Sequence, residues 1–170
     1  YNDGANKSCR IETSDNRTLD YFYHESEKEL LIDKIVYPDG NEIHYIYTSH
    51  PIEKRQLIKR KELPNEHIIE IEYLEGKVKT LKAPVGTTHE LLTISQFIYK
   101  NGETEVYDAL NNKKVYKHTK NNRITSIETF EKQKDYSHTL YAREKLFWSN
   151  DNRLLSQTTE DSKGEILTCK

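Results

Sequence analysis

The chain has 170 residues, which suits one domain, and its net charge of −2 at pH 7 lacks the basic excess that a nucleic-acid partner requires. Apolar residues make up 34% of the sequence and charged residues 32%, so a thick spherical core is poorly supplied. The 12 tyrosines can each bury a ring while the hydroxyl stays in water. This composition favours a thin sheet that is apolar on one face.

Alternating apolar and polar residues predict strands along most of the chain. Three segments place an aliphatic residue, then Tyr or Ile, then Tyr at alternate positions, and alternate side chains of a strand share one face. These nine stripe residues are Leu19, Tyr21, Tyr23, Ile43, Tyr45, Tyr47, Ile69, Ile71 and Tyr73. The regular phase predicts a structural seam between neighbouring hairpins. The alternative is an exposed tyrosine ladder that stacks on sugar or peptide.

The stripes also predict a repeat. Their last tyrosines, Tyr23, Tyr47 and Tyr73, are separated by 24 and then 26 residues. Between the stripes, LLIDKIVY (30–37) and QLIKRKE (56–62) predict complementary strands. Short strands at this spacing are typical of an all-β antiparallel fold, here a strip of repeated β-hairpins.

Turn signals separate the predicted strands. YPDG fits a type I turn, with Pro38 and Asp39 at its central positions and Gly40 at its end. YKNG places Gly102 three residues after a Tyr in the same way. We therefore expect Pro38, Asp39, Gly40 and Gly102 to form turns that reverse the chain direction.

The spacing of strand and turn signals along the sequence predicts two sets of hairpins. We predict a first set over 1–83, an irregular connecting loop over 84–92 where a Pro and a Gly break the alternation, and a more degenerate second set over 93–170. Within the second set, residues 131–145 approach helical spacing, but their β flanks favour strand or loop.

No residue pattern indicates catalysis, a cofactor or a metal. The seven histidines are scattered without the spacing of metal ligands. Thr87, Thr88 and His89 follow a Gly, yet adjacency in sequence is poor support for a nucleophile and base, and no nucleophile elbow occurs. We predict neither catalytic, cofactor-binding nor metal-binding residues, and therefore no enzyme.

Cys9 and Cys169 lie near opposite ends of the chain without metal-binding spacing. We expect free thiols, with a disulfide between them as the alternative. No apolar run approaches the roughly 20 residues that cross a bilayer. The sequence starts at Tyr1 and contains no Met, which we interpret as a fragment of a larger protein, with processing as the alternative.

One segment resembles a known family. LIDKIVYPDGNEIHYIY, with its Tyr-Pro-Asp-Gly turn and Tyr-x-Tyr ending, is similar to an RHS or YD repeat. TEVYDALNNKKVYKHTKNNRI and LFWSNDNRLLSQTTEDSKGEI resemble degenerate units of the same kind. The YPDG unit is the specific part, and the likeness spans roughly residues 10 to 170.

The resemblance implies a fold and a role. RHS repeats form a curled β-sheet shell that encloses a C-terminal toxic domain in bacterial toxins, and teneurins carry a similar barrel. The implied function is a structural segment of such a shell, which encapsulates or displays a toxin or effector. The implied partners are neighbouring repeats of the parent chain and an enclosed effector, and the implied location is secreted or on a bacterial surface.

The family's Asp-Pro-x-Gly cleavage motif is absent, so cleavage is not expected. The alternative is a stand-alone β-sheet module that binds glycan or protein through exposed aromatics.

Overall fold

A computed structural model describes residues 7–26, 29–50, 52–86 and 90–169. Over these residues the regular structure consists of fourteen β-strands and no α-helix, which confirms the predicted all-β class. The strands are β1 (Lys7–Glu12), β2 (Thr18–Ser26), β3 (Glu29–Val36), β4 (Glu42–Ser49), β5 (Gln56–Glu62), β6 (Ile68–Leu74), β7 (Lys77–Pro84), β8 (Leu91–Lys100), β9 (Glu103–Asp108), β10 (Lys113–His118), β11 (Ile124–Lys132), β12 (His138–Trp148), β13 (Leu154–Asp161) and β14 (Ile166–Cys169).

The chain divides into two compact units, Tyr1–Leu92 and Thr93–Lys170. The first contains β1 to β7, and the second contains β9 to β14 and all of β8 except its first two residues. Within each unit, strands that follow one another in the chain lie side by side and run antiparallel. Each unit is therefore a meander of hairpins, and the predicted antiparallel strip of hairpins is confirmed at this level.

The segment predicted as a connecting loop, 84–92, is shorter where the chain is described. Pro84 still belongs to β7, while Leu91 and Leu92 begin β8. Thr87, Thr88 and His89 lie outside the described residues. The division into two sets of repeats stays a prediction. Over 131–145 the preference for strand and loop is confirmed, because a turn there joins β11 to β12.

Seven turns in the described part of the chain share one design of five residues. The N–H of the first residue donates to the carbonyl of the fifth, and the N–H of the fourth donates to the carbonyl of the first. The fourth residue has a positive φ between 59° and 88° in every case. These residues are Asn16, Gly40, Asn111, Asn122, Tyr136, Asn152 and Gly164. Six of the seven are Gly or Asn, the types that adopt this conformation most readily.

The YPDG turn belongs to this group, and Gly40 has a φ of +82°. The Asp39 carboxylate accepts the backbone N–H of Asn41 at 3.0 Å, which lowers the pKa of Asp39. Gly102 (φ +75°) instead lies in the two-residue connection between β8 and β9. The two turns differ because Lys100 and Glu103 already pair in the ladder and leave only two residues to reverse the chain.

The loop between β4 and β5 is organised by His50, which is only 4% exposed. Its Nδ1 accepts the N–H of Ile52 at 3.2 Å and that of Glu53 at 2.9 Å. The imidazole also lies against the β6–β7 turn, where a Cβ added to Gly76 would be 1.8 Å from Nε2. A missing side chain at Gly76 therefore provides the space that His50 occupies.

We predict that Gly76→Ala destabilises the protein more than Gly40→Ala does. Both glycines have positive φ, so alanine costs about 1–2 kcal/mol at either site. Only Gly76 adds a clash, with the His50 ring, which raises the loss to about 2–4 kcal/mol, whereas nothing lies within 4 Å of a Cβ at Gly40. Urea denaturation of the two variants measures the difference. Equal losses would contradict the packing of His50 on Gly76.

Candidate functional site

The nine stripe residues all lie on one face of the first unit, which we call the apolar face. Directly paired residues of adjacent strands share a face. Tyr21 pairs with Ile35, and Ile35 pairs with Ile43. Further along the sheet, Tyr45 pairs with Lys61, which pairs with Ile69. The strand alternation then places the other members of each stripe on the same side.

The apolar face is half-buried rather than enclosed. Among the nine stripe residues only Ile43, at 7% exposed, is buried, and its neighbour Ile35 is 8% exposed. The other eight are intermediate in exposure. A single sheet layer explains this pattern, because only adjacent strands cover each side chain.

Two stripe tyrosines reach from one strand to the backbone of the preceding strand. The Tyr47 hydroxyl donates to the carbonyl of Ile32 on β3 at 2.8 Å, and the Tyr73 hydroxyl donates to that of Ile58 on β5 at 2.7 Å. In both cases the donor follows the acceptor by 15 residues. We call these contacts aromatic bridges.

The aromatic bridges lie where a backbone ladder ends. Between β3 and β4 only three residue pairs are in register, from Val36↔Glu42 to Lys34↔His44, and β5 and β6 also share three. The carbonyl of Ile32 lies beyond the last β3–β4 pair, so the ladder gives it no partner on β4. The phenol supplies that hydrogen bond instead, because a carbonyl removed from water needs a donor.

A β-bulge lies beside the last tyrosine of each stripe. The register shifts by one residue immediately before the pairs Tyr23↔Ile32, Tyr47↔Ile58 and Tyr73↔Val78. A bulge bends its strand and increases the local twist. The three bulges therefore set the same local geometry at each tyrosine, which is the structural meaning of the repeat in the sequence.

The second unit contains an aromatic bridge that the sequence stripes did not predict. Trp148 of β12 donates its Nε1–H to the carbonyl of Ile124 on β11 at 2.7 Å. The β11–β12 ladder ends at Ser126↔Lys145, before this level, and a bulge precedes the pair Trp148↔Leu154. Because Trp replaces Tyr here, a search for tyrosine stripes does not find it. An aromatic residue with an N–H or O–H donor at the end of an alternating strand is the sequence signal that could have identified this bridge.

Burial raises the pKa of the bridging phenols Tyr47 and Tyr73. The folded protein therefore holds these two protons more tightly than the unfolded chain does. The corresponding stability is present below about pH 10, where a free tyrosine ionises, and is lost as the pH rises through the raised folded value.

We predict that Tyr47→Phe lowers the free energy of unfolding by about 0.5–1.5 kcal/mol, because the carbonyl of Ile32 loses its donor. Tyr45→Phe is the matched control, since Tyr45 is on the same strand and face and its hydroxyl makes no hydrogen bond to a described residue. Denaturant unfolding at pH 7 measures both losses. Above about pH 10 the alkaline loss of stability should be smaller in Tyr47→Phe than in the wild type. Equal losses of stability at pH 7 would argue against the bridge, whereas the alkaline effect is common to both substitutions, because burial also raises the pKa of Tyr45.

The opposite side of the first unit carries ion pairs and forms a charged face. Glu42 accepts from Lys34 and contacts His44, both at 2.9 Å. Lys82 lies 2.5 Å from Glu72 across β6 and β7. Lysine stems that lie along such a face cover apolar surface while the ammonium stays hydrated.

A charged face also occurs in the second unit, around two buried carboxylates. Glu105 is 9% exposed and accepts from Lys100 at 2.6 Å, which lowers its pKa. Glu128 is 8% exposed, and its Oε1 accepts from Lys117 at 3.0 Å and from Arg143 at 2.9 Å. Burial by itself would raise the pKa of Glu128, but the two cations together hold that pKa below its usual value.

We predict that Glu128→Gln lowers the free energy of unfolding at pH 7 by about 1–2 kcal/mol, because Lys117 and Arg143 lose their shared partner. Glu131→Gln on the same strand is exposed and should change stability by less than about 0.5 kcal/mol. Since the folded pKa of Glu128 is depressed, its contribution is present above the unfolded value of about 4.3 and is lost at lower pH. Thermal unfolding at pH 7 and pH 3 measures this. A difference between variants that persists unchanged at pH 3 would contradict the ion pairs.

Among the described residues, each unit contains a cleft. A cleft of about 400 Å³ on the first unit is lined by Glu42, His44, Arg60, Glu62, Leu63, Glu66, Ile68 and Pro84. Glu42 pairs with Lys34 and His44, whereas Arg60 Nε lies 3.1 Å from Glu62 but is buried without a hydrogen-bond partner in the described part of the chain. A second cleft of about 290 Å³ on the other unit includes Asp108, Asn112, Glu131 and Tyr141.

The described part of the chain contains no group of three or more His, Cys, Asp or Glu side chains arranged to hold a metal. Cys9 and Cys169 are free and exposed. Over the same residues, no helix is long and apolar enough to cross a bilayer.

Comparison with known proteins does not assign a family. No family model matches the chain, and no curated protein matches it. A protein of unknown function from Bacteroides fragilis is similar in structure at 9% identity and a TM-score of 0.24, over 98% of this chain and 92% of that one.

Proposed function

We propose that the chain is a structural repeat segment of an RHS-type protein, and that it forms part of a β-shell which encapsulates or displays a C-terminal toxin or effector. The observation that carries the proposal is the meander of hairpins joined by recurrent aromatic bridges. In the first unit, Tyr47 and Tyr73 each link a hairpin to the strand before it through a phenol donor that lies beside a bulge. Such a unit can be added many times without a new core.

The two faces of the first unit support this role. A wall one sheet thick must present one face to each side, and here one face carries aliphatic and aromatic side chains while the other carries ion pairs. Half-buried tyrosines that also donate hydrogen bonds serve as wall material rather than as a ligand site. A sheet of this kind has little need for a second packed layer.

The proposed partners are neighbouring repeats of the same parent chain and an enclosed effector domain. Among the described residues, β1 pairs with β2 alone and β14 with β13 alone, so the main chain of each could pair with a further hairpin. The parent would be a bacterial protein that is secreted or surface-located, as the resemblance in the repeat at YPDG implies.

The complete natural protein provides the test. Electron cryomicroscopy should resolve further hairpins beside β1 and β14, continuous with residues 7–169, around an internal space. A C-terminal domain inside that space should resist protease at least about tenfold longer than the same domain expressed alone. A complete protein without further hairpins, or with a C-terminal domain cleaved as fast as the free domain, would contradict the proposal.

The second candidate function is a stand-alone module that binds glycan or protein through exposed aromatics. Tyr141 favours it, because this ring is 61% exposed and lines the cleft that contains Asp108, Asn112 and Glu131. Aromatic rings beside polar side chains are suited to stacking on sugars. A glycan and peptide array probed with the wild type and with Tyr141→Ala decides between them. Binding that Tyr141→Ala abolishes supports the module, and an empty array removes its support.

A further inference from the structure

We propose that Asn101 is a site of spontaneous modification, where the backbone nitrogen of Gly102 converts the asparagine to aspartate and isoaspartate and thereby loosens the β8–β9 hairpin. The inference concerns the second unit alone and is independent of the proposed function. It depends on the turn between β8 and β9, where Asn101 is exposed and the Gly102 N–H makes no hydrogen bond to a described residue.

The reaction needs only the chain and water, because asparagine is one of the chemically labile residue types. The Gly102 nitrogen attacks Cγ of Asn101, so that a C–N bond forms and the bond from Cγ to Nδ2 breaks. The proton of the attacking nitrogen passes through solvent to the departing nitrogen, which leaves as ammonia. Water then opens the cyclic succinimide at Cγ, which gives aspartate, or at the main-chain carbonyl carbon, which gives isoaspartate. No atom is oxidised or reduced.

The turn leaves the attacking nitrogen uncovered. Glycine has no Cβ, and the nearest group to the position of a Gly102 Cβ is the carbonyl oxygen of His118, at 3.8 Å. Lys100 and Glu103 already pair in the ladder, so Asn101 and Gly102 alone make the reversal. Neither a side chain nor a strand therefore covers this nitrogen.

Other described asparagines precede a nitrogen that is held in a hydrogen bond. The N–H of Asn112 donates to the Asp108 carboxylate at 2.8 Å, and the N–H of Asn122 donates to the Thr119 carbonyl at 3.0 Å. An N–H of this kind must leave its acceptor before its nitrogen can attack, which slows the reaction. The asparagines that precede such a nitrogen include Asn111, Asn121, Asn122 and Asn152.

Gly40 provides the comparison for a glycine nitrogen that is held. It follows Asp39 in the YPDG turn, and nothing lies within 4 Å of a Cβ at this position. Its N–H, however, donates to the Tyr37 carbonyl at 2.9 Å. An asparagine at position 39 would therefore precede a glycine, as Asn101 does, but would face a nitrogen that is already bonded.

Modification changes the turn in two ways. Aspartate at position 101 adds a negative charge beside Glu103, which already shares Lys100 at 3.5 Å. Isoaspartate carries the main chain through Cβ and so adds one atom to a connection of two residues. Because the Gly102 carbonyl accepts the N–H of His118 at 2.9 Å, a longer turn also disturbs the contact with β10. Both products therefore weaken the pairing around β9.

Timed incubation of the whole chain at pH 8, followed by peptide mass spectrometry and enzymatic methylation of isoaspartate, tests the site. We expect Asn101 to convert at least about tenfold faster than any other described asparagine, and folding should slow its conversion by less than about tenfold relative to the chain in urea. Conversion should be slower at pH 5, because the attacking nitrogen must lose its proton. An Asn101 that stays intact, or that folding protects more strongly, would overturn the proposal.

Asp39→Asn separates the structure of the turn from the Asn-Gly sequence. In the folded variant, position 39 should convert at least about tenfold more slowly than Asn101, whereas in urea the two positions should convert at similar rates. Equal rates in the folded variant would overturn the proposal, and if the variant does not fold, the wild-type comparison with urea decides.

The modified chains test the effect on the hairpin. Ion exchange separates them from the unmodified chain by their added charge, and we expect them to unfold at a lower urea concentration. Unfolding at the same urea concentration would contradict the loosening of the β8–β9 hairpin.

Discussion

A phenol hydroxyl and a backbone carbonyl meet at the level where two neighbouring strands separate, and the rest of the sheet depends on this contact. A sheet one layer thick has no second layer to cover a strand that leaves its neighbour. The carbonyls of Ile32 and Ile58 lie at such places, beyond the last β3–β4 and β5–β6 pairs. Tyr47 and Tyr73 supply the missing donors, and their rings cover apolar surface on the way.

The bulges and the bridges act together. A bulge increases the twist of β5 beside Tyr47 and of β7 beside Tyr73. Only three residue pairs join β3 to β4. The twist separates strands at one end, and the aromatic donor closes the separation. Trp148 makes the same contact in the other unit with an indole N–H in place of a phenol. The shared requirement is a rigid ring with a polar tip, which either residue type meets.

On the charged faces, basic side chains neutralise the carboxylates. Glu105 and Glu128 are almost buried, yet each retains cationic partners whose side chains lie partly in water. Such pairs contribute modestly to stability, but they keep a broad sheet surface polar and so oppose sheet-to-sheet association. The low apolar content of the sequence is thus consistent with a fold that needs only one apolar face.

The sequence predicted the strands, the stripe face and the YPDG turn, because period-2 alternation and Pro-Asp-Gly chemistry are local signals. Contacts between residues that are far apart in the sequence could not be predicted from it. The pairing of Trp148 with Ile124 requires knowledge of which strands are neighbours and where their ladder ends. His50 resembled the other scattered histidines in sequence, and only the folded chain places its ring against Gly76. Sequence patterns report periodicity, whereas these sites depend on register.

The hydroxyl protons of the stripe tyrosines test the central claim most directly. A phenol proton held by a carbonyl and shielded from water exchanges slowly enough to be observed by NMR. We predict slowly exchanging hydroxyl protons for Tyr47 and Tyr73, with cross-peaks to Ile32 and Ile58 respectively, and no observable hydroxyl proton for Tyr21 or Tyr45. Equally fast exchange of all four hydroxyl protons would contradict it.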